Sequence, residues 1–440
     1  MKIIHCLNHF FPQHFAGTEI YTLSLVHALQ KKNIESIVLV PNFGKTITEE
    51  YNTKNIRVIK YAEPSIADRE LRMGNRRPSG LQEFLQVLVK EDPSIVHFHA
   101  FTRGNGITIH HIFAAKEKGF KVVMTFHLAG YTCKTDYLMY NGKELCNGYI
   151  DAARCTSCIY TSKNIGGLKK KLLMTAAILS YKATYDTTSW NNSLGTAIGY
   201  PFIIEQLKKD VASLGNQCDK LVVLAEWYKK ILILNDVPAD KIISISQGLP
   251  ENLILKEQLI QDNEILKVIF IGRINRIKGI ELLIKAVKPL PSNNISLDIF
   301  GKFDDPEFEK FCQSETKYHK NIRWMGGIEP ETIVNVIAGY KVLCLPSLSE
   351  MSPLVIQEAY AAGVPVIASD IYGNAEHVKD NITGWLFKFN DSKDLQNKLK
   401  MLMDDPQKLA LVRKQLPVPK DFNAVAAEYE KLYIETVKAG

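Results

Sequence analysis

Short β-branched and aliphatic runs recur along the chain, separated by stretches with apolar residues three and four apart. Ile3–Leu7, Ile34–Val40, Ile56–Lys60, Ile95–Phe98 and Lys121–Phe126 predict strands. Thr18–Lys32, Gly80–Lys90 and Asn105–Lys118 predict the helices between them, and the order resumes with Lys220–Leu224, Ala225–Leu234 and Ile242–Ser246. Strands that are apolar throughout, alternating with helices, argue for parallel sheets covered on both faces. Residues 250–265 are polar and turn-rich and predict a hinge. A second series follows. Strands are predicted at Lys267–Ile271, Ile295–Phe300, Ile322–Trp324, Val342–Leu345 and Pro365–Ala368, and helices at Gly279–Val287, Asp305–Glu315, Pro330–Ala338, Pro353–Ala362 and Gly373–Val378. The amphipathic segment Phe422–Lys438 predicts a terminal helix that docks elsewhere, with the first domain as one choice.

The expectation is α/β: two Rossmann-like domains facing one another across a cleft, residues 1–250 and 264–421, with 422–440 returning toward the first. The length of 440 residues suits two domains. There is no apolar run of spanning length, and Met1–Leu7 reads as a buried strand rather than a signal peptide, so a cytoplasmic location is expected. Charge is uneven: the first 200 residues hold 24 Lys and Arg against 15 Asp and Glu. That suits an anionic partner (nucleic acid, a lipid surface or a phosphate-bearing acceptor) or plain solubility.

Candidate chemistry concentrates after two strands of the second series. Val342–Leu345 leads into a loop carrying Glu350. Ser352 is a good N-cap, Pro353 a good first helical residue and Gly363 a good stop. The free amides around Ser352, Pro353 and Leu354 favour an anion, while Glu350 and Glu358 can accept hydrogen bonds from sugar and ribose hydroxyls. After Lys267–Ile271 come Gly272, Arg273 and Lys278, cations beside a helix start at Gly279 and a reasonable diphosphate clamp. Neither the Walker nor the dinucleotide glycine spacing is met. In the first half, Gly17 can bring backbone close to phosphate, Thr18 can cap the helix behind it, and His127 ends a strand. Gly248 lies at the domain junction. Taken singly, each of these residues reads as readily as an ordinary loop or surface position.

In order and spacing, Glu350-x7-Glu358, Gly272-Arg273-x4-Lys278-Gly279, Gly363-Val-Pro-Val-Ile-Ala, Ser369-Asp-Ile-Tyr-Gly-Asn-Ala-Glu376 and Asn381-Ile-Thr-Gly-Trp-Leu-Phe resemble glycosyltransferase family 4, the retaining GT-B enzymes. The resemblance covers nearly the whole chain. It implies a nucleoside-diphosphate sugar donor, a saccharide or lipid-linked acceptor, no catalytic cofactor, and no nucleic acid. Arg273 and Lys278 would hold the diphosphate, Glu358 the ribose and Glu350 the donor sugar. Amides around Ser352–Leu354 would touch sugar hydroxyls and phosphate, His127 would lie beside the sugar, and Gly17 would admit phosphate. Ala16 stands where the family often has a first glycine, and Gln247-Gly248 where Asn-Gly is common. The rival expectations are a GT-B sugar-nucleotide 2-epimerase and a non-catalytic carbohydrate- or lipid-binding relative.

Two features stand outside that frame. The insertion 130–165 carries Cys133, Cys146, Cys155 and Cys158, four thiols that could hold a structural zinc, with free thiols and disulfides as the other readings. The segment from Gly166 to Lys182 sets a lysine cluster beside apolar residues. It reads either as an interfacial helix on the inner face of an anionic membrane or as a core helix with a solvated basic end.

Overall fold

A computed structural model describes residues 1–14, 16–64, 68–73, 76–102, 106–250, 253 and 265–439. The predicted hinge at 250–265 therefore lies almost wholly outside the described residues. The chain divides into two compact units: Met1–Ser246 with Val425–Gly440, and Gln247–Ala424.

The first unit is built on an eight-stranded sheet. Its order is Ile242–Ser244, Lys220–Val223, Val122–Phe126, Ile95–Phe98, Lys2–Cys6, Glu35–Phe43, Ile56–Glu63, Glu49–Thr53. The first seven run parallel, and their central members are buried end to end because helices cover both faces. Glu49–Thr53 was not anticipated. It is a polar edge strand, antiparallel to its neighbour and joined to it by Lys54-Asn55, both at positive φ (48° and 61°). A two-residue turn of that kind matches strand twist.

Helices follow the predicted order with small boundary shifts: Gly17–Gln30, Leu81–Glu91, Ile109–Glu117 and Glu226–Leu234. Thr18 does not cap the first of them. Ala16 is the N-cap, and the Glu19 carboxylate takes the Ala16 N–H at 2.9 Å. The insertion is longer than 130–165. After a small hairpin (Met139–Tyr140, Glu144–Leu145), helices Ala152–Ser162, Gly167–Lys182, Ser193–Ile198 and Tyr200–Gln217 fill the path to Lys220. The helix Phe422–Lys438 packs in this unit from Val425 onward, burying Val425, Tyr429 and Tyr433 completely.

The second unit has six parallel strands in the order Ile322–Gly326, Ile295–Phe300, Leu266–Ile271, Val342–Leu345, Val366–Ser369, Gly384–Phe387. Numbered along the chain this is 3-2-1-4-5-6, the doubly wound order. Its direction reverses between Leu266–Ile271 and Val342–Leu345, and ligands of such sheets bind outside the carboxyl ends of those two strands.

Candidate donor and histidine sites

At that reversal point the second unit assembles most of the residues singled out in its sequence. Arg276–Lys278 forms one 3-10 turn capped by the Asn275 side chain, and Gly279 follows at φ 68° before the helix Ile280–Val287. A Cβ at Gly279 would stand 1.9 Å from the Pro346 carbonyl oxygen, so only glycine lets this turn abut the loop after Val342–Leu345. Leu348 N–H bonds the Ile277 carbonyl at 2.7 Å, which stitches the two loops together. The result is a contact across 72 residues: Lys278 Nζ lies 2.6 Å from Glu350 Oε1.

Glu350 is held further by the Ser347 hydroxyl, which donates to Oε1 at 2.7 Å. The Ser369 hydroxyl bonds the Ser347 carbonyl, and Asn374 Nδ2 donates to Ser369 Oγ at 3.0 Å. Ser347, Ser369 and Asn374 are fully buried, so the carboxylate rests on a polar shelf in the interior. Gly373 presses against the Glu350 carbonyl, where a Cβ would sit 2.3 Å away. Ser347 lies in the stretch that leads to Glu350, and Ser369, Gly373 and Asn374 in the stretch ending at Glu376, but no supporting role was read for them from sequence. Single serines and an asparagine at strand ends look like turn residues until the sheet order brings them together.

Glu358 sits in the helix Leu354–Ala361 and is only 8% exposed. Among the described residues its carboxylate has no hydrogen-bond partner, and burial lifts it from 4.5 to about 7. An unpaired buried carboxyl on the helix that follows Val342–Leu345 is free to take hydroxyl donors.

Ser352 and Pro353 depart from the expected cap. The helix opens at Leu354 with Pro353 as N-cap, and the Ser352 hydroxyl turns to His377 Nε2 at 2.9 Å instead. The Ser352 carbonyl accepts from the Gln247 amide at 2.9 Å, which brings Gly248 to the same loop. Gly363 stops the helix at φ 69°. Arg273 is not gathered in. Its side chain is 76% exposed, and its ion-pair partner is Asp304 at 3.9 Å.

In the first unit Gly17 opens its helix with no atom of the described residues within 4 Å of where a Cβ would lie. His127, just past Val122–Phe126, is buried, packs edge-on to Tyr21 (centroids 4.8 Å apart) and bonds His99. Burial lowers it to about 3, so its imidazole is neutral at pH 7. Behind it lies a set that sequence reading missed. His5 and His97 are register partners on the two strands flanking this sheet's own reversal, and His99 follows. The sequence signal was His97-Phe-His99: alternate positions on an extended segment share a face.

The four insertion cysteines are free, part-buried thiols. Cys155 and Cys158 lie one turn apart on one helix, and Cys158 Sγ accepts the Asn141 N–H at 3.3 Å. Burial raises the Cys155 thiol to about 11, with Cys133, Cys146 and Cys158 adding to the shift, so the four are electrostatic neighbours. A soft four-sulfur set with an amide donor to sulfur fits zinc in chemistry. Among the described residues, however, the group of three whose ligand atoms all lie within 4.8 Å is His5, His97 and His99. No three of the four sulfurs all lie within that distance of one another, against the roughly 3.8 Å separation in a tetrahedral zinc site, so metal binding would draw the set together.

The fold is GT-B. Sucrose-phosphate synthase of Thermosynechococcus elongatus superposes with TM-score 0.69 at 17% identity, and HepE of Anabaena in complex with UDP-glucose with TM-score 0.60 at 13% identity, each over the whole of both chains. Residues 253–415 match the group 1 glycosyl transferases, and residues 15–166 match Glycosyltransferase Family 4. The chain belongs to glycosyltransferase family 4. Among curated relatives, the amylovoran biosynthesis glycosyltransferase of Erwinia amylovora is 28% identical over 46% of this chain and 51% of its own length. The chain spans about half the length of the curated relatives it matches.

Proposed function

We propose that the protein is a retaining glycosyltransferase that moves a sugar from a nucleoside-diphosphate donor to a saccharide or lipid-linked acceptor in cell-surface polysaccharide assembly. The observation that carries this reading is the reversal point of the second unit, where a lysine–glutamate pair forms and the helix that follows carries an unpaired buried carboxyl. Lys278 neutralises the diphosphate as its bond to the sugar breaks, the first amides of Leu354–Ala361 add to that, and the exposed Arg273 joins them by turning from Asp304 to the bound diphosphate. Glu350, positioned by Lys278 and Ser347, accepts from donor-sugar hydroxyls, and Glu358 takes the ribose diol. The anomeric carbon passes through an oxocarbenium-like state. The acceptor oxygen attacks on the face the diphosphate leaves, and the departing phosphate oxygen removes the acceptor proton. Gly17 leaves room for phosphate, Gly248 adjoins the Ser352 loop, and His127 borders the donor sugar. UDP-glucose in the HepE complex and the polysaccharide role of the Erwinia relative support the donor class and the pathway class.

Among the described residues no helix is long and apolar enough to cross a membrane. The helix Gly167–Lys182 buries only Ala177, however, and exposes Leu168, Leu172 and Leu179 along one stripe beside exposed Lys169 and Lys171. This favours peripheral attachment to an anionic surface at the cytoplasmic face, where lipid-linked acceptors reside. Structural zinc on Cys133, Cys146, Cys155 and Cys158 belongs to the same reading and is tested by metal content. About one zinc per chain, lost in Cys155→Ser/Cys158→Ser, supports it, and zinc-free folded protein rejects it.

The deciding experiment incubates the protein with a panel of nucleoside-diphosphate sugars, with saccharide or membrane-lipid acceptors, and assigns the product anomer by NMR. Acceptor-dependent release of nucleoside diphosphate with the donor's anomeric configuration kept is the expected result. Conversion of the donor to its 2-epimer without acceptor would establish the rival isomerase.

A further inference from the structure

Four histidines lie side by side in the first unit without a carboxylate among their hydrogen-bond partners. His5 Nδ1 is 3.0 Å from His99 Nε2, and His99 Nδ1 is 3.2 Å from His127 Nε2. His5, His97 and His99 have no solvent exposure. At the inner end of the chain, His5 Nε2 is buried without a partner among the described residues. At the outer end, His127 Nδ1 makes no hydrogen bond to the described residues. His97 runs alongside but is satisfied separately, with Nε2 2.7 Å from the Thr125 hydroxyl and Nδ1 2.7 Å from the Tyr433 hydroxyl.

A neutral imidazole has one N–H and one bare nitrogen, and the hydrogen bond at one nitrogen fixes the other. Each link in a row of three must therefore point the same way, and only two arrangements exist. If protons point inward, His127 Nε2–H donates to His99, His99 Nε2–H to His5, and a buried His5 Nε2–H is left with nothing to bond. If they point outward, His5 Nδ1–H donates to His99 Nε2 and His99 Nδ1–H to His127 Nε2, and His127 Nδ1–H is presented at the strand end. The inner nitrogen is then a bare lone pair. Orphaned buried N–H groups are the rarer defect, so the outward arrangement wins.

We infer that His5 and His99 are positioning residues that lock His127 in the Nδ1–H tautomer, making it a hydrogen-bond donor toward a ligand's hydroxyl or phosphate oxygen and not a proton acceptor. Free imidazole in water favours the other tautomer, so the lock is distinctive. The same three-histidine geometry of His5, His97 and His99 could suggest a metal. Both nitrogens of His97 are already held by hydroxyls, and His5 and His99 already share a proton, so the hydrogen-bonded reading uses every contact present. Only the identity of the oxygen that His127 meets rests on the donor-sugar reading; the tautomer does not.

The test is NMR of the unliganded, full-length protein labelled with 15N-histidine at pH 7. The expected result is His127 with a proton-bearing Nδ1 and a bare Nε2. His99→Leu abolishes that signature, while His99→Asn, whose amide nitrogen stands where the imidazole Nδ1 stood and can still donate to His127 Nε2, keeps it. Circular dichroism establishes that both variants are folded. A wild-type His127 protonated at Nε2 or at both nitrogens overturns the inference. So does a signature that survives His99→Leu, or histidine resonances that move when a chelator strips a bound ion. Because no donor is present, a failure here leaves the transfer reading standing, and a failed transfer assay leaves the tautomer standing.

Discussion

Glu358 is the residue whose ionisation costs the fold most visibly. Its folded carboxyl titrates near 7 against 4.5 when unfolded. The folded state therefore holds the extra proton between those values, and stability is present below about 4.5 and lost as pH rises through 7. The loss approaches roughly 3 kcal/mol at most. Glu358→Gln should flatten the decline in melting temperature between pH 5 and 8, while raising the donor KM by about tenfold as one charged acceptor is lost. An unchanged pH slope would show the carboxyl to be solvated. Lys278→Ala strands a carboxylate already 90% buried at its side chain. It should lower kcat/KM by at least about a hundredfold, consistent with loss of a transition-state contact worth about 3 kcal/mol. The two carboxylates and the lysine were legible as a spaced set in the sequence. The roles of the serines beneath Glu350 and of the histidines behind His127 were not, because the links that join them, Ser369 to Ser347 and His5 to His99, span 22 and 94 residues.

At the scale of elements, the short turn ending in Gly279 decides whether the Lys278–Glu350 pair forms at all. Gly279→Ala meets both a left-handed backbone and the Pro346 carbonyl. It should destabilise the protein by roughly 2 kcal/mol or more and depress activity beyond what the fall in folded fraction explains, as measured by denaturant titration and assay in parallel. Wild-type-like activity would separate the turn from the site. Helices and buried strands were readable because burial on both faces writes continuous apolar runs. The edge strand Glu49–Thr53 was hidden by its polarity, and Ser352 misled because its hydroxyl finds His377 rather than its own helix. The helices from Ala152 to Gln217 were underread, since much of their apolar surface faces outward and no strand punctuates them.

In the whole molecule, two units with separate sheets should unfold as two calorimetric transitions. Tyr433→Phe removes the hydroxyl 2.7 Å from His97 Nδ1, leaving a buried nitrogen unpaired. It should cost about 1–3 kcal/mol in the transition of the first unit and leave the other within a degree. A shift confined to the second transition would contradict the division. Two domains and a docking terminal helix were anticipated from periodicity and length. The insertion's true extent was not, because its path is set by packing onto Tyr200–Gln217.

The terminal helix ties the beginning of the chain to its end. Tyr21, Thr125 and Tyr429 share one run of hydroxyls, and Val425–Gly440 completes a unit whose first strand is Lys2–Cys6. During synthesis the ribosome makes that strand well before its covering tyrosines, with the entire second unit in between. The earlier half must therefore wait, its imidazoles uncapped, until the second unit has been made. A pause before codon 425 would hold it in that unfinished state.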